Sequence, residues 1–584
     1  MMKMAALDIE TTGLTWRDRM LCISGARVGP DGAETTLFLN TGFEQRPNLF
    51  GLGFGDEAEE RDRAIVPLSV PEARAELWAF LEGAECLVFH NASFDLPYIV
   101  RLGLITMEEL DRFLIFDTMV MARCTGPHER VGLAHLVAEY KLSTSDVWQT
   151  MKGQRTKLAS ALLSDVKKYA IEDAVVTLRL AQKMYPQAAE IYPDGQLIKD
   201  ESDWIKLVSG LRFHGIAVDV AGIQRAKSQT LKDMHEITKR HLIPFGIKSP
   251  SARKDTLKWV ASLGQTDLLR KTDKGNPSID EESLRRLTGA AVPVVEKILA
   301  ARSLEKVAAT WLGGYIDHAG RDGRVHPLYT VSGTISNRLS CREPNAQAVP
   351  KKLFGTVFTA RPGFRLVQLD YSQAELRIAA MFAKEGVFAR ELADPNADLH
   401  MATAKLMFGE NADADDRQKA KSSNFLTIYG GGPQALSDQA GIPYVLAQQI
   451  LRSHRKALPA LAATSKEAEK AWLNRGYLKV LGGKRVYASQ SDLERSYKAF
   501  NALIQSSVAE LMKRAMLAVA KEMPQVLQVG QVHDSILAEI RDDVNFEAVV
   551  GRIGQIMSGA VPDWLTNRTT PPILMRVDWE VIGG

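Results

Sequence analysis

Two acidic residues near the N-terminus have the spacing of a metal-binding pair. Asp8 and Glu10 lie two positions apart in a short apolar run that is typical of a strand. Because side chains alternate between faces along a strand, both carboxylates point the same way and can hold one cation. A lone pair of this kind is weak evidence, since surface strands carry two acids by chance. The Thr11-Thr12-Gly13 turn that follows adds some weight.

Three further residues extend this acidic group. Asp95 comes just after a second predicted strand that ends at Phe89. Tyr169 and Asp173 lie four positions apart in a predicted helix and therefore share one of its faces. Taken alone, Tyr169 is typical of a half-buried aromatic residue and Asp173 of a solvated helix acid. The combination of four carboxylates with a phenol is more informative than any one of them.

The C-terminal half contains a second acidic pair. Leu366 to Asp370 is typical of a buried strand that ends in an acid, and a helical pattern follows it. Asp534 follows Gly530 at a predicted hairpin, and a turn there can bring this carboxylate beside Asp370. Two acids far apart in the chain could converge in this way to hold a metal ion.

Between these two acids lies a regular series of cationic and aromatic residues. Arg417, Lys421, Phe425 and Tyr429 follow one another at steps of four and therefore cover one face of a helix. Aspartates precede them as helix-start residues, and the positive helix end adds to the two cations as a site for phosphates. The alternative is a solvated basic helix start followed by two core aromatics.

These residues need elements to position them, and the sequence predicts several domains. From residue 1 to about 190, short strands alternate with helices, as in a compact α/β domain, and Pro186 with the Tyr192 to Gly195 turn marks a boundary. Between about 200 and 325 the helices are rich in Lys and Arg. The next region begins with strands, continues with long helices from about 384 to 475, and returns to strands around 527 to 540. This order predicts an α+β domain with a helical insertion.

Composition narrows the functional classes. The chain has 584 residues, 45% hydrophobic, and its 73 basic and 70 acidic residues nearly balance, so net charge barely hints at a polyanionic partner. Four cysteines without CxxC spacing argue against a zinc site or a disulfide framework and favour a reducing cytosol. The N-terminus has no signal-peptide pattern, and no apolar segment is long enough to span a membrane. We expect a cytoplasmic protein.

In this order and spacing, the N-terminal acids and Tyr169 closely resemble the proofreading exonucleases of the acidic-tetrad class, whose last motif is Tyr-x-x-x-Asp. The resemblance implies that four carboxylates hold two metal ions and that Tyr169 orients the attacking water. Two cations about 4 Å apart can stabilise both the entering hydroxide and the leaving 3′-oxygen. The implied metal ligands are Asp8, Glu10, Asp95 and Asp173. Asp117 is interpreted as structural.

The C-terminal set resembles the family A DNA polymerases, the class of bacterial polymerase I and related phage enzymes. Their motifs A, B and C are present as Asp370-Tyr371-Ser372-Gln373-Ala374-Glu375-Leu376-Arg377, as the Arg417 to Gly430 series, and as His533-Asp534. The resemblance extends to Ser336 to Ser340, Pro344 to Gln347, Asp398-Leu399-His400, Gly476-Tyr477, Asn501 with Gln505, and Gly215 to Asp219. With the exonuclease motifs it covers nearly the entire chain.

The resemblance also implies a role for each residue of the C-terminal set. Asp370 and Asp534 bind two metal ions, to which Tyr371 adds a backbone carbonyl. Arg417 and Lys421 hold the triphosphate, and Lys421 can protonate the pyrophosphate. The implied contacts to the nucleotide and to the primer and template are Phe425, Tyr429, Glu375 as the ribose gate, Arg338, Gln347, Asn501, Gln505 and His533.

The fold class implied is multidomain α/β and α+β, with a ribonuclease H-like exonuclease domain followed by a right-hand polymerase of palm, fingers and thumb. The expected ranges are the exonuclease domain 1–195, the thumb 196–325, the first part of the palm 326–383, the fingers 384–490 and the second part of the palm 491–584. No 5′ nuclease domain is expected before the exonuclease, and the thumb looks too short for a processivity-factor insertion.

The same resemblance implies cofactors and partners. Two Mg²⁺ ions are expected in each active site, with Mn²⁺ as a substitute. The expected substrates are primer-template DNA and deoxynucleoside triphosphates, used by a monomer with no membrane attachment. Replisome proteins such as a helicase-primase and a single-strand binding protein are candidate partners in a host bacterial cytosol. The compact plan resembles phage replicative polymerases, and repair or gap filling stays open.

The sequence departs from the family pattern at three positions. Ser535 stands where Glu commonly follows the motif C aspartate, Leu426 stands where motif B has Gly, and Asn337 replaces a glycine before Arg338. Two rival functions remain. One is an exonuclease whose polymerase half only grips DNA, against which the intact acids and cations argue. The other is RNA synthesis on the same palm, against which Glu375 argues.

Overall fold

The computed structural model describes residues 2–29, 32–44, 66–151, 155–272, 274–384, 386–391, 394, 397–440 and 442–583. The chain divides into two compact units. The first consists of residues 1–215, 327–347 and 362–581, and the second of residues 216–326, 348–361 and 582–584. Both acidic groups lie in the first unit.

A five-stranded sheet forms the centre of the N-terminal region. Its order is β3-β2-β1-β4-β5, with β1 antiparallel to β2 and parallel to β4. The strands are β1 (Met4–Thr11), β2 (Met20–Val28), β3 (Glu34–Asn40), β4 (Cys86–Phe89) and β5 (Leu114–Asp117). Strand β4 is entirely buried. The central position of β1 places Asp8 and Glu10 inside the domain rather than at an edge.

Among the residues that the structure describes, eight α-helices surround or follow this sheet: α1 (Val70–Phe80), α2 (Ala92–Arg101), α3 (Met107–Leu110), α4 (Thr118–Thr125), α5 (Leu133–Glu139), α6 (Asp146–Met151), α7 (Leu163–Ile191) and α8 (Gln196–His214). The longest, α7, packs against β1 and β2. The boundary predicted at Pro186 is wrong, because this proline lies inside α7, and the turn from Tyr192 to Gly195 ends the helix instead.

A four-stranded sheet forms the base of the C-terminal region. Its order is β13-β14-β10-β15, from β10 (Phe364–Tyr371), β13 (Leu527–Val532), β14 (Ser535–Arg541) and β15 (Val577–Ile582). Strand β10 comes before the long helices and the other three after them. The predicted α+β domain with a helical insertion is therefore present.

The inserted segment and its flanks are mainly helical. They contain α15 (Ala374–Ala383), α16 (Gly386–Glu391), α17 (Leu399–Phe408), α18 (Ala414–Tyr429), α19 (Pro433–Ala440), α20 (Tyr444–Ala457), α21 (Pro459–Arg475), α22 (Gln490–Leu493) and α23 (Ala499–Glu522). After β14 come α24 (Phe546–Ser558) and α25 (Asp563–Thr566). Two small hairpins pair β8 (Leu328–Thr330) with β9 (Ser340–Arg342), and β11 (Tyr477–Lys479) with β12 (Arg485–Tyr487).

The second unit is built on its own helical core. It contains α9 (Val220–Ile237), α10 (Arg253–Ser262), α11 (Glu281–Leu284), α12 (Ala291–Lys306), α13 (Gly314–His318) and α14 (Phe354–Val357), and β6 (Ile216–Ala217) pairs with β7 (Arg324–Val325). Buried apolar residues such as Leu242, Trp259 and Ile298 form its core. The expected thumb range begins earlier than this unit, because α8 packs against α2 and β5 of the first unit.

A helix that crosses a membrane must be both long and apolar. Within the described ranges, no helix has both the length and the apolarity that a membrane span requires.

Candidate active sites

The N-terminal acidic site is formed where β1 meets α7. One carboxylate oxygen from each of Asp8, Glu10 and Asp173 lies within 4.8 Å of the other two. Glu10 and Asp173 are buried and Asp8 is partly exposed. The Ser24 hydroxyl on β2 donates to the Ala170 carbonyl on α7 at 2.7 Å, which holds the helix against the sheet. Two distant parts of the sequence therefore converge on one small volume.

The fourth predicted carboxylate lies beside the same strand. Asp95 is buried in the first turn of α2, and its Oδ1 accepts a hydrogen bond from the Ile9 amide at 3.2 Å. The backbone between Asp8 and Glu10 is thus tied to Asp95. Tyr169 lies one helical turn before Asp173 and is fully buried, at 0% exposure, rather than half-buried.

Trp148 is a contributor that sequence reasoning missed. It is buried on α6, and its indole Nε1 donates to Asp173 Oδ1 at 2.5 Å. This bond fixes the orientation of one carboxylate of the acidic group. A single tryptophan in a short helix carries no pattern that would link it to an aspartate in another helix, so the sequence offered no signal for it.

Asp117, interpreted as structural, does cap a helix. Its carboxylate accepts hydrogen bonds from the Met119 and Val120 amides of α4 and from the Asn91 and Ala92 amides that precede and begin α2. Burial raises the pKa of Asp117, while these four amides favour its ionised form. One buried aspartate thus joins the starts of two helices.

The C-terminal acidic pair is set by strand register. Asp370 near the end of β10 stands opposite Ser535, the first residue of β14. The Tyr371 amide donates to the Asp534 carbonyl at 3.1 Å, so the two acidic residues lie next to each other across the sheet. The Asp370 side chain is exposed at the strand end. Burial raises the pKa of Asp534 above its ordinary value, and the neighbouring Arg338 guanidinium opposes that rise.

The partly exposed guanidinium of Arg338 lies beside this pair. Arg338 Nη2 donates to Glu375 Oε1 at 2.7 Å and lies 3.7 Å from Asp534 Oδ1. The Tyr429 hydroxyl donates to the other oxygen of Glu375 at 2.9 Å. Burial and the Glu375 carboxylate raise the pKa of Tyr429 to about 12, so this hydroxyl keeps its proton at neutral pH. The three side chains form a connected polar group beside Asp534.

The predicted series of cationic and aromatic residues lies on helix α18. These residues are partly or largely exposed, and the residues just before three of them, Ala420, Asn424 and Ile428, are buried. The Asp413 side chain caps the helix by accepting from the Asp415 and Asp416 amides. The phosphate-binding face predicted from four-residue steps is therefore the open face of the helix.

Two contacts order that open face. Arg417 Nε donates to Asp398 Oδ2 at 2.6 Å, and the other oxygen of Asp398 caps α17 through the His400 and Met401 amides. The Phe425 and Tyr429 rings lie 6.1 Å apart and nearly parallel, at 13°. Cations at one end and a stacked aromatic pair at the other give the face two chemically distinct halves.

The predicted primer and template contacts are divided between two places. Gln347 Nε2 lies 3.4 Å from Gln531 Oε1, and Gln531 in turn donates to the carbonyl of His533, which is exposed at the β13–β14 turn. Asn501 and Gln505 lie on α23, one turn apart and partly exposed, and α23 packs against α18. Gln347 and His533 therefore lie at the β13–β14 hairpin, the first beside it and the second in its turn, whereas Asn501 and Gln505 lie on α23.

The departures from the family pattern have structural explanations. Ser535 is buried, donates to the Val532 carbonyl at 2.7 Å and accepts from Gln368 at 2.8 Å, so it holds the hairpin turn. Leu426 belongs to the apolar cluster of the inserted helices and packs onto Gly431, where a Cβ would lie 2.2 Å from the leucine side chain. Asn337 takes a left-handed backbone conformation, with φ +56°, that the family's glycine would adopt freely.

Both acidic groups suit a hard divalent cation. Their side-chain ligands are carboxylate oxygens, which Mg²⁺ and Mn²⁺ prefer. Like charges gathered within 4.8 Å, as in the N-terminal group, are mutually destabilising unless a cation or a proton joins them. Divalent metal ions are therefore the class of cofactor that both groups fit.

Comparison with known families identifies the chain. The sequence model described as DNA polymerase family A matches residues 221–573, more than half of the chain. The chain belongs to DNA polymerase family A. A second model, described as 3′-5′ exonuclease, matches residues 41–189 of this family A protein. That match includes Asp95, Tyr169 and Asp173, while Asp8 and Glu10 precede it and join the group through the fold.

Several relatives carry the same description. DNA polymerase I of Rhizobium leguminosarum is 28% identical over 545 residues, which cover 87% of this chain and 51% of the relative. DNA polymerase I of Chloroflexus aurantiacus is 30% identical over 510 residues, with 81% and 52% covered. A DNA polymerase of Mycobacterium phage D29 is 26% identical over 514 residues, with 83% of each covered. The chain spans about half the length of the two bacterial relatives.

A solved structure has the same fold. The POL domain of Pol1 from M. smegmatis, in complex with DNA primer-template and dNTP, superposes with a TM-score of 0.75. It is 19% identical, and the match covers 99% of this chain and 95% of the other. The predicted fold class, an α/β exonuclease part followed by a right-hand polymerase, is confirmed.

Proposed function

We propose that the protein is a DNA-templated DNA polymerase that extends a primer 3′ end and proofreads it with its own 3′→5′ exonuclease. The observation that carries this proposal is the presence of two separate carboxylate centres in one family A chain. One lies between β1 and α7, and the other at the junction of β10 and β14. Two independent metal centres fit two opposed reactions on the same primer end.

In the polymerase centre, the protein side chains position and discriminate the nucleotide. Arg417 and Lys421 on the open face of α18 bind the triphosphate, and Lys421 donates a proton to the leaving pyrophosphate. Phe425 and Tyr429 contact the nascent base pair and restrict its shape. The stacked geometry of these two rings supports that assignment, because it forms a flat apolar surface beside the cationic half.

Selection against ribonucleotides is assigned to Glu375. Arg338 and Tyr429 each donate a hydrogen bond to one of its carboxylate oxygens, at 2.7 and 2.9 Å, so both oxygens of the carboxylate are held. A side chain held this firmly can reject a 2′-hydroxyl by occupying its space, because it cannot swing away. The same Arg338, together with Gln347, His533, Asn501 and Gln505, is proposed to contact the primer and template.

Two Mg²⁺ ions in each centre, replaceable by Mn²⁺, would neutralise charge on the reacting phosphate and lower the pKa of the attacking group. Asp370 and Asp534, with the Tyr371 carbonyl, would hold them for polymerisation. Asp8, Glu10, Asp95 and Asp173 would hold them for excision, with Tyr169 orienting the water. Within the chain, Trp148 and the Ile9 amide fix two of these carboxylates before any substrate arrives.

The biological setting follows from these substrates. We infer a monomer that acts on primer-template DNA and deoxynucleoside triphosphates in a bacterial cytosol. The phage D29 relative, with 83% of its length covered, supports a replicative role of the phage type. A helicase-primase and a single-strand binding protein are the proposed replisome partners. The proposed domain ranges are those expected from the sequence, apart from a thumb that begins near residue 216.

A primer-extension assay tests the proposal. The chain is given a labelled matched primer or a primer with a mismatched 3′ end, with Mg²⁺ or EDTA, and with deoxy- or ribonucleotides. We expect extension with deoxynucleotides and shortening of the mismatched primer, both abolished by EDTA. DNA binding without extension would instead support the binding-module rival. Equal extension with ribonucleotides would support the RNA-synthesising rival.

A further inference from the structure

A buried histidine bridges two turns of the nucleotide-binding helix α18. His454 lies in the last turn of α20 and is 1% exposed. Its Nε2 lies 2.7 Å from Asn424 Oδ1, and its Nδ1 lies 3.2 Å from the Thr427 hydroxyl. Both partners belong to α18. One imidazole therefore holds two positions of that helix.

Asn424 also contacts a third helix, α17. It is 1% exposed, and its Nδ2 donates to Thr403 Oγ1 at 3.0 Å and lies 3.2 Å from His400 Nδ1. Thr403 and His400 both belong to α17. A single amide in the middle of α18 thus joins α17 and α20, in an interior where unpaired polar groups would be costly.

The hydrogen bonds of this group run in one direction. An amide nitrogen can only donate, so His400 Nδ1 accepts and its ring proton sits on Nε2. An amide oxygen can only accept, so His454 carries its proton on Nε2 and accepts from Thr427 at Nδ1. Burial lowers the pKa of both imidazoles to about 4, so both are neutral at pH 7. The chain runs from Thr427 through His454 and Asn424 to His400.

The end of this chain lies at the triphosphate face. The His400 ring is 5.7 Å from the Phe425 ring, and His400 follows by two residues the Asp398 that binds Arg417. The cations Arg417 and Lys421 are close enough to disfavour a charge on His400. A neutral His400 with its proton on Nε2 is a hydrogen-bond donor at this place, whereas the other tautomer would be an acceptor there.

We propose that His454 is a positioning residue for nucleotide binding. Acting through Asn424, it fixes the rotation of α18 about its axis and sets His400 as a donor beside the phosphate-binding cations. This inference rests on the proposed polymerase function. His454 touches no substrate itself, and its effect reaches the nucleotide through Asn424 and His400.

The first test is kinetic and uses substitutions of His454 in the full chain. His454→Phe keeps the ring but loses both hydrogen bonds, and we expect KM for the deoxynucleotide to rise about tenfold, the worth of roughly one buried hydrogen bond, with a smaller change in kcat. His454→Gln can donate to Asn424 and accept from Thr427, so it should restore most of the lost affinity. Gln449→Ala, an exposed position on the same helix, is the matched control.

The second test reads the tautomer directly. In the ¹⁵N-histidine-labelled wild type, ring-nitrogen chemical shifts should show His400 protonated on Nε2. His454→Phe should leave it as a mixture of tautomers, and His454→Gln should return it to the wild-type state. Primer-end excision by the same variants should stay at the wild-type level, because its centre lies in another part of the fold.

Three results would overturn the proposal. They are an unchanged KM in His454→Phe, a His400 ring protonated on Nδ1 in the wild type, and an equal fall in extension and excision, which would mean general destabilisation. Failure of the proposed function would look different, since the wild-type chain would then not extend a primer, whereas the tautomer measurement would stand.

Discussion

The two acidic centres of this chain are built in opposite ways. In the N-terminal centre, three carboxylates lie within 4.8 Å of one another, and neutral donors, the Trp148 indole and the Ile9 amide, orient the group. In the C-terminal centre, the Arg338 guanidinium lies 3.7 Å from Asp534 and is hydrogen-bonded to Glu375. The C-terminal centre therefore carries a cationic side chain of the protein beside its carboxylates.

The two centres orient their carboxylates by different means. Hydrogen bonds from neutral groups orient a carboxylate while leaving its charge for a metal ion. A guanidinium partly neutralises the carboxylates and has to share them when metal and substrate arrive. We therefore expect Arg338 to change partners when metal and nucleotide bind at the C-terminal centre.

The largest effect is expected at the two aspartates to which we assign metal binding in the C-terminal centre. Asp370→Asn or Asp534→Asn should lower nucleotide incorporation by about a thousandfold, because the lost negative charge acts chiefly in the transition state. Duplex binding and removal of a mismatched 3′ end should persist. The measurement is single-turnover incorporation, with excision from the same primer as the internal control. Near-normal incorporation by either variant would contradict the assignment.

A second test addresses the buried ion pairs that join α8 to the C-terminal part of the chain. Glu201 on α8 is fully buried, and its Oε1 binds Lys484 at 2.7 Å and Lys513 at 2.9 Å, two residues of the polymerase part. Glu510 completes the group at 2.8 Å from Lys513. Glu201→Gln should lower the free energy of unfolding by about 3 to 5 kcal/mol, because a buried ion-pair network loses one charge. Urea unfolding measures it, and Lys199→Gln, exposed on the same helix, should change little.

The same group predicts an acid-labile contribution. Burial alone would raise the pKa of Glu201, but Lys484 and Lys513 outweigh it and lower this pKa to about 2 from 4.5. A lowered folded-state pKa means that the stabilisation is present above pH 4.5 and is lost as the pH falls towards 2. Wild type and Glu201→Gln should therefore converge in stability over that window. A constant difference down to pH 2 would count against the ionised cluster.

The third test concerns the hydrogen bond between Trp148 and Asp173 in the exonuclease centre. Trp148→Phe removes the indole donor from Asp173, and a bond to a carboxylate is worth roughly 1.5 to 3 kcal/mol, or about ten- to a hundredfold in rate. Excision should slow accordingly while extension is unchanged. Trp78→Phe is the matched control, since the Trp78 indole donates to the Leu104 carbonyl away from the acids. Equal effects of the two substitutions would show that Trp148 acts only through packing.

The smallest effect is expected at the group around Glu375. Glu375→Ala should raise ribonucleotide use, because the space needed by a 2′-hydroxyl opens. Tyr429→Phe removes one of the two restraints on Glu375, and loss of about 1 kcal/mol corresponds to roughly a fivefold rise. The measurement is the ratio of ribo to deoxy kcat/KM. If Glu375→Ala leaves that ratio unchanged, Glu375 does not perform this selection.

Local patterns in the sequence predicted much of this architecture. The two-residue spacing of Asp8 and Glu10, the four-residue steps on α18 and the hairpin at Asp534 each depend on the period of one element, and the structure has all three. The error at Pro186 has a local cause as well, since a proline can be accommodated within a long helix when tertiary packing supports it.

Contacts between elements could not be predicted in the same way. Trp148 with Asp173, Arg338 with Asp534, His454 with Asn424, and Glu201 with Lys484 join residues that are distant in the sequence. Their residue types are ordinary in helices and loops, and only the packing of the chain brings them together. These contacts determine how the acidic and cationic groups are oriented, which spacing alone does not specify.

The independence of the two centres can be measured with the double variant Asp8→Ala and Glu10→Ala. Extension of a matched primer and removal of a mismatched 3′ end are measured on the same preparation, with wild type and Asp370→Asn alongside. We expect the double variant to lose excision and to keep extension at close to the wild-type rate, and Asp370→Asn to do the reverse. Loss of both activities together in either variant would contradict it.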